Sequence, residues 1–160
     1  MVYHNISPVY DENSEVLILG SFPSVKSREA QFFYGHPQNR FWKVISAIYG
    51  FPVPYDILSK KLLLLNNKIA VWDVIGSCEI NGSSDSSIRN AVPNDIATLV
   101  EKTNISRILA NGTTSYDMYN RFCRDSVGIA AEKLPSTSPA NAAYSLDRLI
   151  SEWKSHLLSV

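Results

Sequence analysis

Several stretches of the chain bring together side chains that can do chemistry. Gly20-Ser21-Phe22-Pro23-Ser24 closes an apolar run and reads as a tight turn. Its glycine lets the backbone bend or be approached closely, and its proline fixes the exit. Ser21 and Ser24 are candidate nucleophiles, set against the common use of such serines as turn hydrogen-bonders. The stretch is neither GxSxG nor the phosphate-cradling GxxxxGK followed by Ser or Thr, so ATP hydrolysis is disfavoured. The segment from Phe32 to Trp42 packs aromatics around His36, Gln38, Asn39 and Arg40. There Tyr34 is a candidate to stack on a flat ligand, and Asn39 either caps a helix or positions polar atoms. Phe41 reads as core. Asp73 ends an apolar run, where its carboxylate either faces a ligand crevice or accepts a turn hydrogen bond. Asp85, in Gly82-Ser83-Ser84-Asp85, reads as a loop or cap residue. Leu134-Pro135-Ser136-Thr137-Ser138-Pro139-Ala140-Asn141 is small, polar and bracketed by prolines, a strand-to-helix loop whose hydroxyls and amides let a backbone approach phosphates.

Other chemistries are absent from the pattern. His4, His36 and His156 have no paired metal-ligand spacing. Cys78 and Cys123 are too few for an iron–sulfur cluster or a disulfide framework and lack zinc spacing. A reducing, cytoplasmic setting is the default expectation. The 160 residues carry 15 basic and 15 acidic side chains, for zero formal charge, so a cationic surface exists only by local segregation. No apolar run approaches the roughly 20 residues of a membrane span, and the polar stretch Met1 to Tyr10 has no signal-peptide core.

The elements that must position these groups follow from periodicity. Short continuous apolar runs predict buried strands over 15–20, 68–75, 107–110 and 128–134. Helical spacing predicts helices over 39–49, 55–65, 95–102, from 113 or 114 to about 124, and 145–158. Asp56, Asn94, Thr113 or Thr114 are the expected start signals of three of them. Alternating strands and helices predict a single α/β domain over 1–160, with three α/β/α layers around a short, mainly parallel four-stranded sheet. Ligands of such sheets bind beyond the carboxyl ends of the strands. The chemistry is therefore expected at residues 20–24, 73–77, 111–112 and 134–139.

Taken together and in this order, GSFPS, His36-Pro37-Gln38-Asn39-Arg40-Phe41-Trp42 and LPSTSP resemble the motifs of the uracil-DNA glycosylase superfamily. The likeness is nearest to its hypoxanthine-DNA (deoxyinosine) glycosylase branch, and Trp72-Asp73-Val74 and Gly82 to Ile88 extend it. The resemblance implies a monofunctional glycosylase that hydrolyses the N-glycosidic bond of a deaminated base, with no metal or organic cofactor. Its partner would be single- or double-stranded DNA holding a damaged base, with no obligate protein partner and no membrane. Many superfamily members carry Asp or Asn two residues after the glycine of the first motif, and His at the head of the last. Here those positions are Phe22 and Leu134. The resemblance therefore assigns catalysis to Asn39, which would orient a water through its amide oxygen. It places Gly20, Ser21, Phe22, Tyr34 and Asp73 at the flipped base, with Asp73 accepting from a ring N–H. It places Ser24, Ser136, Thr137, Ser138 and Asn141 at the DNA backbone, with Arg40 and Lys26 as supporting cations. A mismatch-specific or uracil-directed enzyme of the same fold, an inactive damaged-DNA-binding module and a serine hydrolase using Ser21 or Ser24 are the alternatives.

Overall fold

The computed structural model describes residues 1–4 and 6–158. Four strands form a parallel sheet in the order β3-β2-β6-β7: β2 (Val16–Gly20), β3 (Ile69–Asp73), β6 (Arg107–Asn111) and β7 (Ala131–Leu134). They are the four predicted strands. Their alternation decides which layer each side chain enters. Ile18, Val71 and Leu109 point to a core shared with Phe41, Ile45, Leu64, Leu149 and Trp153. Leu17, Leu19, Ala70 and Ile108 point to the opposite core, with Ile96, Leu99 and Tyr119. The first layer is thus built by α2 (Phe41–Tyr49), α3 (Ile57–Asn66) and α7 (Leu146–Leu157), the second by α4 (Ile96–Glu101) and α5 (Thr113–Phe122).

The second core also rests on something the periodicity did not predict. β1 (Val2–Tyr3), β4 (Ile75–Glu79) and β5 (Arg89–Pro93) form a small antiparallel sheet. The run expected as one strand over 68–75 breaks at Val74, whose N–H turns to Gly20 O at 2.8 Å, and continues as β4 in another sheet. The polar N-terminal stretch becomes an edge strand, and His4 beyond it is buried.

Two short helices, α1 (Val25–Ala30) and α6 (Arg124–Val127), complete the fold. Local chemistry sets several helix starts. Asp56 caps α3 and Ser145 caps α7 by accepting from the N–H three residues on. Asp95 rather than Asn94 caps α4, because the Asn94 carboxamide instead donates to Asp73 O at 2.9 Å. α5 starts from Gly112 without a side-chain cap, so neither Thr113 nor Thr114 has that role.

Candidate active site

A cavity of about 320 Å³ opens at the carboxyl ends of the parallel strands. All four expected segments reach that end of the sheet, and three strands contribute lining directly through Gly20, Asp73 and Asn111. Ser21, Phe22, Ser24, Tyr34, Asn39, Ser136, Thr137 and Ser138 also line it, as does Asp85. No Lys or Arg does.

The floor is polar and unsatisfied. Asp73 is 3% exposed, and its Oδ2 has no hydrogen-bond partner. Burial, reinforced by the charge of Asp85, pushes its pKa up to about 8, so it carries a proton at neutral pH. His4 Nε2 lies 4.0 Å from that oxygen but donates to Ile75 O at 3.0 Å, while Nδ1 accepts from Ile6 N. Those bonds fix the neutral Nε2–H tautomer, and burial holds the pKa of His4 below its ordinary value. His4 and Asp73 are therefore neighbours without being an ion pair. The buried hydroxyl of Tyr34 also has no partner at hydrogen-bond geometry among the described residues, although the Asn111 carboxamide is near enough to pull its pKa down. Burial, the largest cause, and the nearby Asp73 raise its pKa. Tyr34 stacks on Phe41 with centroids 4.0 Å apart and sits at φ 53°, a left-handed conformation rare for a bulky residue. Gly20 makes this floor possible: a Cβ there would stand 2.5 Å from Asp73 Oδ1 and 3.2 Å from the Tyr34 hydroxyl.

One wall is saturated with hydrogen bonds. Asn39 Oδ1 accepts from Phe41 N and from Thr137 Oγ1, both at 2.9 Å. Thr137 Oγ1 in turn accepts from Asn111 Nδ2 at 3.0 Å, and Asn111 Oδ1 accepts from Thr137 N at 3.0 Å. Both reasonable acceptor directions of the Asn39 oxygen are taken, so the carboxamide can offer the cavity only its Nδ2 donors. This alters the water-orienting role expected of that oxygen. Thr137 is fully buried, and its hydroxyl is engaged at both lone pair and proton, which removes it from the expected contact with DNA. Asn141 does not line the cavity; its Nδ2 holds Ser136 O at 3.0 Å. Arg40 is not a free cation either. Its guanidinium donates to the carbonyls of Ser138, Asn141 and Tyr144, clamping the loop after β7.

The other wall is a docked loop. Ser21 Oγ donates to Asp85 Oδ1 at 2.9 Å, Val25 N donates to Ser83 Oγ at 2.9 Å, and Arg28 bonds Gly82 O at 2.7 Å and Pro23 O at 3.2 Å. Asp85 is exposed at the rim, yet the surrounding wall desolvates its carboxylate and raises its pKa, with the Ser21 hydroxyl pulling the other way. Ser24 caps α1, accepting from Ser27 N and bonding Ser27 Oγ, both at 3.1 Å. Phe22 is buried against His4, under the Arg28 guanidinium. Lys26 pairs with Glu29 on an exposed helix face. Among the described residues no histidine bonds Ser21 or Ser24, so neither serine is part of a Ser-His pair. In the sequence Asp85 reads as a loop or cap residue within a segment that extends the resemblance, and His4 as part of the N-terminal stretch; they join the site across 64 and 71 residues of chain. Among the described residues no cluster of His, Cys, Asp or Glu could hold a metal ion, and no helix is long and apolar enough to cross a membrane.

The chain matches the family model of the uracil DNA glycosylase superfamily over residues 7–158. It is 36% identical over 155 residues to the hypoxanthine DNA glycosylase of Methanosarcina acetivorans, covering 96% of this chain and 97% of that one. It is 35% identical over 136 residues to the hypoxanthine DNA glycosylase of Methanosarcina barkeri, covering 84% and 85%. The solution NMR structure of a candidate uracil DNA glycosylase from Methanosarcina acetivorans superposes with a TM-score of 0.83 at 35% identity, covering 99% of this chain and 100% of that one. With a parallel sheet, a cavity at its carboxyl edge and matches that span nearly the whole chain, the protein belongs to the uracil DNA glycosylase superfamily.

Proposed function

We propose that the protein is a DNA repair glycosylase that hydrolyses the N-glycosidic bond of a deaminated base, with hypoxanthine the favoured substrate and uracil a second. The observation that carries this reading is the buried carboxyl of Asp73 on the floor of an aromatic-lined cavity, its Oδ2 without a hydrogen-bond partner among the described residues. A neutral carboxyl group offers one O–H donor and one carbonyl acceptor side by side. Deamination of adenine or cytosine creates a lactam edge, a ring N–H beside a C=O, which pairs with such a group through two hydrogen bonds. A buried polar group left unpaired costs about 1–3 kcal/mol, and a base that satisfies it recovers that cost on binding. The names of the relatives at 35–36% identity support hypoxanthine within this class.

The base must leave the duplex to reach this floor, at a cost of a few kcal/mol that a mispaired inosine or uracil lowers. Phe22 and Tyr34 form the apolar bed for its ring. Asn39 Nδ2 donates to the departing base, whose negative charge grows as the bond to C1′ lengthens. Ser136 and Ser138 meet the flanking phosphates. Their oxygens already accept from backbone N–H groups, which leaves each O–H to donate outward. Such neutral contacts position a backbone without a cationic lining. The reaction calls on no metal or organic cofactor, and its setting is the cytoplasm.

The test is base release from short duplexes holding one hypoxanthine, uracil, xanthine or normal base, run on the wild-type chain and on Asn39→Ala. Release of hypoxanthine, falling by about 100-fold or more in the variant, is expected. No release of any base from the wild-type chain would overturn the reading.

A further inference from the structure

Hydrolysis needs a group that holds the attacking water and takes its proton, and the residues placed by resemblance do not supply one. The Asn39 oxygen is occupied twice over, and its nitrogen only donates. The Ser21 hydroxyl donates its hydrogen bond to Asp85, and Ser24 is bonded within the α1 cap. His36 Nδ1 accepts from Gln38 N at 3.1 Å, which leaves Nε2 of the neutral ring carrying its hydrogen. Asp73 is enclosed on the floor, away from solvent. Phe22 stands where a polar side chain would be needed.

Resting on the glycosylase reading, we infer that Asp85 is a further catalytic residue: its carboxylate orients the attacking water at C1′ of the flipped nucleotide and accepts the water's proton. Three observations carry this. Asp85 lines the same cavity as Asn39 and Asp73. Only its Oδ1 is engaged, by the Ser21 hydroxyl, and no hydrogen bond among the described residues occupies Oδ2. Its place at the rim fits the substrate's own geometry. A flipped base enters deepest, while its sugar stays with the DNA backbone at the mouth, where water also enters. The carboxyl on the floor therefore meets the base, and the carboxylate at the rim meets C1′.

The loop that carries Asp85 is fixed for such a task. Ser21, Val25 N and Arg28 bind it at residues 85, 83 and 82, tying it to the turn that follows β2. Ser21 therefore acts as a positioning residue that presents Asp85, in a motif whose own next side chain is the apolar Phe22. In the step itself the C1′–N9 bond breaks with its electron pair passing to the purine. The water oxygen forms the new bond to C1′, and the water's proton passes to Asp85 and then to solvent. The released base takes up one proton from solvent, so the sum is one water consumed. A negative charge beside C1′ also stabilises the oxocarbenium-like sugar as the bond opens.

The test compares the full chain with Asp85→Asn and Ser21→Ala. Single-turnover release is measured on a duplex with one hypoxanthine. Binding is measured on the same duplex carrying a 2′-fluoroarabino hypoxanthine nucleotide, which resists cleavage. Asp85→Asn keeps the acceptor for Ser21 and loses the charge. Its release rate is expected to fall by about 100-fold or more, with affinity for the fluorinated duplex unchanged or tighter. Ser21→Ala is expected to slow release by about 10-fold with the same affinity. Release by Asp85→Asn within about 3-fold of wild type, or a loss of binding parallel to the loss of rate, would overturn the inference. A wild-type chain that releases no base would instead overturn the glycosylase reading, and the inference with it.

Discussion

The two walls of the cavity are each held by an arginine, and they differ in what is left over. Arg40 binds three backbone carbonyls of the loop after β7, and that wall ends in a closed network of Asn39, Thr137 and Asn111. Arg28 binds two carbonyls, and its wall ends in a carboxylate whose Oδ2 has no hydrogen bond among the described residues. A saturated wall suits the fixed donors that must not reorganise as a base departs. An open wall suits the side from which water comes. Both arginines beside the site are engaged in shaping loops.

The comparison breaks most sharply at Arg40. Arg40→Met removes three charge-assisted hydrogen bonds and leaves backbone carbonyls of a packed loop without donors. A loss of about 3 kcal/mol in urea unfolding is expected, with hydrogen exchange over residues 137–144 rising towards that of an open loop. Base release should fall by about 100-fold or more, because Asn39 loses its setting.

Next in size is the pH response of the floor. Asp73 has a folded-state pKa of about 8, raised from an ordinary 3.8 by burial first and by Asp85 second. Between those values the folded chain holds a proton that the unfolded chain has released. Stability therefore falls as pH rises from about 4 to about 8 and levels off above. Asp73→Asn should flatten this slope and be the more stable protein at the alkaline end, measured by unfolding at several pH values. Because the amide keeps a donor and an acceptor, the variant should also lose the decline in hypoxanthine binding above about pH 8.

Thr137→Val tests the saturated wall with little change of shape. Removing the hydroxyl deprives Asn39 Oδ1 of one donor and Asn111 Nδ2 of its acceptor, a cost of about 1–3 kcal/mol. Single-turnover release should drop by about 10-fold while affinity for DNA holds, since Thr137 is buried away from the surface. A fall in affinity alone would return Thr137 to the DNA backbone.

How much of this was legible in the sequence follows from the range of the interactions. Leu17 to Leu19 and Ile69 to Val71 are buried on both faces, so their apolar runs announced the parallel sheet, and the sheet's topology placed the site at its carboxyl edge. β5, with Arg89, Asn90 and Pro93 mostly exposed, carries no such pattern and becomes a strand only by pairing with β4. Asp85 sits in a serine-rich loop, where local chemistry reads as a turn; its partner Ser21 lies in another element. Arg40 beside an expected DNA loop reads as a cation for phosphates, and only the fold shows three carbonyls converging on it. Residue type and spacing located the cavity, and long-range pairing decided which group in it is free.

The smallest expected effect sharpens the same contrast. Arg28 is half-buried and bonds two carbonyls at the edge of the open wall, so Arg28→Met should cost only about 1 kcal/mol in urea unfolding, well below the effect at Arg40. The Arg28 side chain also covers the Phe22 ring, which a methionine can continue to pack. Val25 N and Ser21 still hold the loop at residues 83 and 85, so Asp85 should drift rather than leave. The expected outcome is release slowed by about 3- to 10-fold, with binding to the uncleavable duplex intact, read in the single-turnover assay. Equal losses of stability at Arg28 and Arg40 would mean that the two walls are equally rigid, and the division between a fixed donor side and an open water side would fail.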